Sequence, residues 1–304
     1  MRKLDYYLVD VFTETPFGGN QLAVFTDAAG VPAELMQKIA GELKLSETTF
    51  VLPPENEKND YRVRIFTPAV ELPMAGHPTI GTAFVLARQK MIERTSAQTS
   101  VNLEEGVGDI PVTIEWRGDE PDYIEMRQPL PRFGSYFTDT AKIAEMLSIN
   151  PKAITETNLP MEVVSCGVPF LFVPVADMET VRKIKFRLDV WERVLRDFET
   201  PKVFIFTRET ENSFADVHSR MFAPSSGIME DAATGGASGP LGCYLARHKV
   251  FPNAPVTELI SEQGLEMGRP SFITIKIEQS GGEITNVKVG GKCCFIGRGY
   301  FELP

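Results

Sequence analysis

Residues Arg64–Lys90 read RIFTPAVELPMAGHPTIGTAFVLARQK, and this stretch decides the fold. Arg64 to Thr67 has the character of a strand, and a Pro-broken turn follows. Gly76-His77-Pro78-Thr79-x-Gly81 then leads into a helix expected from about Thr79 to Gln89. Pro78 suits a first helical turn, where the N–H it lacks would have no intrahelical partner. Gly76 lets the backbone approach a ligand without a Cβ in the way. A helix N-terminus with unpaired N–H groups, a positive dipole end and a histidine at its lip is a seat for a carboxylate.

The construction recurs at Arg220–Lys249, RMFAPSSGIMEDAATGGASGPLGCYLARHK. Arg64-x-Phe66-Thr67-Pro68 matches Arg220-x-Phe222-Ala223-Pro224 at an offset of 156 (222 − 66). Ala87-Arg88-Gln89-Lys90 matches Ala246-Arg247-His248-Lys249 at 159 (246 − 87), and Thr49-Phe50-Val51-Leu52 matches Val203-Phe204-Ile205-Phe206 at 154 (203 − 49). Three ordered matches with drifting offsets indicate two copies of one unit of roughly 150 residues. Two such lobes imply a pseudo-twofold with both helix N-termini facing one cleft, a favoured place for a ligand. The lips differ: Gly76-His77-Pro78 on one, Glu230-Asp231-Ala232-Ala233-Thr234-Gly235-Gly236 on the other.

With 304 residues, the chain can bury a sizeable core in each of two domains. A net charge of −10 argues against nucleic acid and anionic membrane surfaces as partners. No apolar run approaches the ~18 residues of a membrane span, and the N-terminus lacks the apolar core of a signal peptide. Cys166, Cys243, Cys293 and Cys294 have no CxxC spacing, so they read as reduced thiols of a cytoplasmic protein. His77, His218 and His248 lack HxH or HxxxH spacing, so no metal site is expected. Nucleotide-binding loops of the GxxxxGK[ST] or GxGxxG type are absent.

Along the chain, strands are expected at Leu4–Phe12, Leu22–Phe25, Phe50–Leu52 and Tyr61–Phe66, with an amphipathic helix over Pro32–Leu43. Further strands are expected at Val101–Leu103, Ile110–Trp116 and Tyr123–Arg127. Ser135–Leu147, Pro151–Thr155 and Phe186–Phe198 read as helices. Glu162–Val175, broken at Gly167-Val168-Pro169, and Lys202–Thr207, Phe214–Phe222, Glu258–Gly264, Phe272–Glu278 and Ile284–Gly290 read as strands. Runs of strands around a few helices indicate α+β, not βαβ alternation.

Three side chains stand out for chemistry. Glu47, just before a hydrophobic strand, is either a solvated loop residue or a carboxylate entering apolar surroundings, where it is suited to moving protons. His77 either orients or protonates a substrate from the helix lip, or is a capping or hydrogen-bonding histidine near a turn. Asp231 either caps the second helix or faces a ligand. The N–H groups of Thr234 to Gly236 are candidate anion donors. Cys243, inside the second helix, reads as core. Arg64 and Arg220 serve the strand ends, with an anion contact as the alternative.

Asp10-Val11-Phe12-Thr13, Phe17-Gly18-Gly19-Asn20, Ser46-Glu47-Thr48, Arg64-x-Phe66-Thr67-Pro68 and Gly76-His77-Pro78-Thr79-x-Gly81 occur in that order. Arg220-x-Phe222-x-Pro224, Glu230-Asp231-x-Ala233-Thr234-Gly235, Gln263-Gly264 and Gly268-Arg269-Pro270-Ser271 follow. Together they resemble the PhzF-like proteins of phenazine biosynthesis, within the diaminopimelate epimerase-like fold. The resemblance implies two lobes, each a curved mixed sheet around a central helix, and a cofactor-independent isomerase that is usually dimeric. It also implies that a Glu matching Glu47 moves a proton on a dihydro-hydroxyanthranilate ring, assisted by residues matching His77 and Asp231. Asn20, Ser46, Gly76, Thr234, Gly235 and Gly236 match its substrate-binding positions. Two departures stand out. The epimerases of this fold use two facing cysteines, whereas the lips here hold residues near Ala75 and Asp231. The phenazine enzyme has Ser where this chain has Gly236, a difference that bears on the substrate more than on the chemistry.

The expectation is therefore an α+β protein with a lobe of residues 1–127 plus about 292–304, a lobe of 128–291, and the active site between them. It shuttles a proton on a small carboxylate-bearing metabolite as a homodimer in the cytoplasm, without nucleic acid, membrane, metal or cofactor. The alternatives are an epimerase or lyase using Glu and His in place of thiols, and a non-catalytic metabolite- or protein-binding member of the fold.

Overall fold

Two helices of 13 residues, Gly76–Arg88 and Gly235–Arg247, are buried along almost their whole length. A helix apolar on every side needs a wrap of other elements, and in both cases a sheet supplies it. The computed structural model describes residues 2–252 and 254–303. The chain divides into Met1–Arg127 with Lys288–Pro304, and Gln128–Val287.

In the first unit, β1 (Arg2–Val11), β2 (Asn20–Phe25), α1 (Ala33–Leu43), β3 (Glu47–Leu52), β4 (Tyr61–Phe66) and β5 (Glu71–Leu72) precede the central helix α2 (Gly76–Arg88). The strands β6 (Gln98–Glu105), β7 (Gly108–Arg117) and β8 (Glu120–Gln128) follow it. The last strand of the chain, β18 (Cys293–Leu303), pairs antiparallel with β1. From β1 the ladder runs antiparallel to β2, parallel to β3, antiparallel to β4, parallel to β6 and antiparallel to β7. The helix α2 lies against β1, β2, β3 and β7. It comes so close that a Cβ on Gly81 would stand 2.6 Å from Leu22 Cδ2. Met36, Ile39 and Ala40 of α1 cover the other face of the sheet, against Phe25, Phe50 and Phe66.

The second unit repeats this order. It contains β9 (Arg132–Phe137), α3 (Thr140–Leu147), α4 (Lys152–Thr155), β10 (Met161–Ser165), β11 (Pro169–Pro174), α5 (Met178–Lys183) and α6 (Leu188–Val194). Then come β12 (Val203–Thr207), β13 (Val217–Ala223), β14 (Ile228–Asp231), the central helix α7 (Gly235–Arg247), β15 (Val256–Gln263), β16 (Ser271–Ser280) and β17 (Glu283–Gly291), which from Lys288 on belongs to the first unit. From β10 the ladder is antiparallel to β11, parallel to β12, antiparallel to β13, parallel to β15 and antiparallel to β16. That is the sequence of directions of the first unit, strand for strand. The helices α3 to α6 cover the sheet's outer face through Ile143, Leu147, Val181 and Trp191.

The ladders also fix the internal alignment. Thr48 pairs with Phe66 and Val203 with Phe222, so Val203 corresponds to Thr48 and not to Thr49, an offset of 155 (203 − 48). Two apolar runs slide past each other freely in composition; hydrogen-bond register decides between them. Both Arg-Phe motifs end on one device. Arg64 makes a two-pronged contact with Glu71 at 2.7 and 2.7 Å, and Arg220 with Glu230 at 2.7 and 2.9 Å. The strand-end role for both arginines is thereby explained.

Several expected elements differ, and β3 begins at Glu47, three residues before Phe50. The helix α2 starts at Gly76, three residues early, because Pro78 needs no acceptor and Thr79 N–H already bonds Ala75 O. Ser135 to Phe137 belong to β9, paired with β10; the helix beyond starts only after Asp139, whose side chain accepts from Lys142 N–H. The expected Phe186–Phe198 helix is the shorter α6, and α5 before it was not expected. Among the described residues, no helix is long and apolar enough to cross a membrane.

Candidate active site

In the first unit, strand alternation sends Glu47 and Thr49 to the same face of β3, and both meet α2. Thr49 Oγ1 lies 2.8 Å from Thr82 Oγ1, and Glu47 Oε2 lies 3.3 Å from His77 Nε2. Glu47 is 6% exposed and His77 3%, so the solvated alternative for Glu47 does not hold. His77 sits in the first turn of α2, inside the helix and not ahead of it. Its Nδ1 is 3.2 Å from the Asn20 side-chain amide. Its Nε2 is buried and makes no hydrogen bond among the described residues.

Burial pushes the His77 imidazole down to about 3, against a weaker upward pull from the Gln21 backbone. At neutral pH the ring is therefore neutral, and the Glu47–His77 approach is a polar contact, not an ion pair. The positive end of the helix acts in the same direction.

Asn20 is placed by the loop ahead of β2. Asp10 Oδ2 accepts from Phe17 N–H at 2.7 Å, and Thr13 Oγ1 from Thr15 N–H at 3.0 Å. Gly19 closes that loop at φ +61°, where a Cβ would stand 2.3 Å from Val11 O. Ser46 is half-buried at the bend before β3.

In the second unit, Asp231 ends β14 and is 3% exposed. It is not the N-cap of α7; Thr234 holds that position. Asp231 Oδ2 accepts from Thr234 Oγ1 at 2.6 Å. Gln263, at the end of β15, completes the group. Its Oε1 accepts from Thr234 N–H at 3.0 Å, and its Nε2 donates to Asp231 O at 2.8 Å and to Thr234 Oγ1 at 3.0 Å. Thr234 N–H is thus committed to Gln263, a correction to its expected role as an anion donor. Gly235 and Gly236 open α7, where N–H groups have no intrahelical acceptor.

The internal alignment shows how far the halves have diverged. Lys202 stands where the first unit has Glu47 (202 − 155), and Gly236 where it has His77 (236 − 159). The sequence motifs included Gln263 without a role. Its function depends on β15 lying parallel to β13, which no local pattern reveals. Among the described residues, no group of three or more His, Cys, Asp and Glu is placed to hold a metal ion.

Residues 9–299 match the family described as phenazine biosynthesis-like protein, PhzC-PhzF. This chain belongs to that family. Within the PhzC-PhzF family it is 36% identical to the trans-2,3-dihydro-3-hydroxyanthranilate isomerase of Pseudomonas aeruginosa, over 94% of this chain and 95% of that one. It is 35% identical to an uncharacterized isomerase of Mesorhizobium japonicum, over 98% and 99% of the two chains. The crystal structure of the Bacillus anthracis PhzF-family phenazine biosynthesis protein superposes with a TM-score of 0.89 at 28% identity, covering 100% of both chains. A hydroxyproline epimerase from Agrobacterium vitis shares the fold, with a TM-score of 0.67 at 13% identity over 99% and 91%. The chain is accordingly an isomerase of the PhzF type with the α+β fold of that group.

Proposed function

We propose that this isomerase moves a proton between two carbons of a small carboxylate-bearing metabolite, with Glu47 as the acid/base. One observation carries the reading: a buried carboxylate faces a neutral imidazole at 3.3 Å in the first turn of a central helix. Glu47 takes a proton from a substrate carbon, and the electron pair of the broken C–H bond passes into the substrate's own unsaturation. The same carboxyl returns the proton to a different carbon, so the substrate is neither oxidised nor reduced. His77 Nε2, which has no hydrogen bond among the described residues, hydrogen-bonds the substrate. We also propose a catalytic role for Asp231 within its own unit, where it accepts from Thr234. The N–H of Gly76 receives the substrate's carboxylate, and those of Gly235 and Gly236 are proposed as anion donors at the start of α7. A positioned acid/base contributes ~10²–10⁴-fold, so these dipoles supply much of the remainder.

Trans-2,3-dihydro-3-hydroxyanthranilate, named for the Pseudomonas relative, heads the list of substrates to try. A two-thiol epimerase reading is weaker here, because burial raises the thiol pKa of Cys293 and Cys294 and neighbouring Cys166 raises that of Cys243. We also propose a homodimer, as the family resemblance implies; sedimentation equilibrium tests it.

The deciding experiment is proton NMR in D₂O of cyclic and α-substituted carboxylic acids, including that compound, with wild type and Glu47→Gln. Deuterium entering one compound with wild type alone supports the assignment. Equal exchange with both proteins sinks Glu47 as the base.

A further inference from the structure

Glu105 is a buried carboxyl that the proposed chemistry does not use. Along β6 the buried positions are Thr99, Val101, Leu103 and Glu105, so Glu105 takes a place the alternation reserves for an uncharged side chain. Its Oε1 lies 2.5 Å from Thr79 Oγ1, and the same hydroxyl lies 2.6 Å from Ala75 O.

A threonine hydroxyl has one hydrogen, and a backbone carbonyl only accepts. If Thr79 donates to Ala75, it offers Glu105 a lone pair, and Glu105 has to bring the proton. If Thr79 donates to Glu105, two lone pairs face each other at 2.6 Å. Glu105 Oε2 has no hydrogen-bond partner among the described residues, a modest cost for a neutral C=O and a severe one for a carboxylate.

The internal repeat agrees. Arg62 pairs with Glu104 on β6 as His218 pairs with Glu262 on β15, so Glu105 corresponds to Gln263. In the second unit, a neutral amide at this position donates to Thr234, the residue that starts the central helix.

We infer that Glu105 is held as a neutral carboxylic acid that donates to Thr79 Oγ1 and braces the first turn of α2, the turn carrying His77. Burial raises the Glu105 pKa to about 8, with the Thr79 hydroxyl opposing in part. The positioning role rests on His77 belonging to the active site; the protonation state does not. On α2 the titratable group of the first turn is His77, and on β3 it is Glu47. Glu104 of β6, Arg62 of β4 and Asp109 of β7 lie on the opposite face, where Glu104 and Asp109 share Asn59.

Infrared difference spectroscopy of wild type against Glu105→Gln at neutral pH should show the C=O stretch of a carboxylic acid in wild type only. A difference spectrum carrying carboxylate bands alone overturns the protonation state. In ¹⁵N-histidine-labelled protein, the His77 ring signals should titrate as Glu105 ionises near pH 8 in wild type. In Glu105→Gln they should stay constant at their wild-type neutral position. His77 signals that are flat in wild type across that ionisation refute the positioning role. Neither readout needs a substrate, so failure of the proton-shuttle reading registers separately, in the deuterium experiment.

Discussion

His77 stands 3.3 Å from Glu47 as a neutral ring beside a carboxyl, so the pair holds no formal charge attraction at neutral pH. The pH dependence of stability follows. The folded pKa, about 3, lies below the ordinary 6.5, so the unfolded chain binds more protons between those values. His77's contribution is complete above pH 6.5 and is lost as pH falls through 3. Urea midpoints taken from neutral pH downward should fall in wild type and fall less steeply in His77→Gln. Identical slopes would mean the folded ring is charged.

The twin Arg–Glu contacts are a natural experiment in burial. The Arg64 side chain is 21% exposed and Arg220 is 7%. Arg220 also donates to Val181 O at 2.9 Å. Arg64→Met should cost about 1 kcal/mol or less, whereas Arg220→Met, which strands Glu230, should cost about 3–5 kcal/mol. Chemical denaturation of the two variants measures both, and equal losses would contradict the argument.

Gln263→Glu removes two donors and places a carboxyl against Asp231 O and Thr234 Oγ1. A loss of about 1–3 kcal/mol is expected, with the deuterium exchange rate falling at least tenfold because Asp231 loses its brace. Unchanged exchange would show that Asp231 needs no such support.

Gly19→Ala tests the loop that presents Asn20. An L side chain at φ +61°, 2.3 Å from Val11 O, forces the backbone to move. Destabilisation above about 1 kcal/mol is expected, together with altered His77 ring signals, since Asn20 contacts Nδ1. Wild-type signals in this variant would uncouple the loop from the ring.

Much of this was legible in the sequence because it is local. Pro78 and Gly76 announce a helix start, Arg-x-Phe pairs announce the repeat, and Glu47 sits at a strand edge whatever surrounds it. What escaped depends on distant pairing. Ser135-Tyr136-Phe137 become a strand only because β10 lies alongside. The one-residue slip at Thr48 is invisible without the ladder. Gln263 and Glu105 acquire their roles because parallel strands bring them beneath helix starts, and nothing in their own neighbourhoods signals it.

Near-total burial of both central helices has a consequence for how this scaffold changes. From Gly76 to Ala87, every position is packed against neighbours, so almost any replacement there disturbs the core before it alters selectivity. New substrate preferences are therefore expected to arise at exposed positions outside those helices, such as Phe17 in the loop ahead of β2, 72% exposed, or Met229 on β14, 51% exposed. A laboratory library confined to such positions should diversify the repertoire of the fold while leaving the proposed proton-handling interior as an inherited constant.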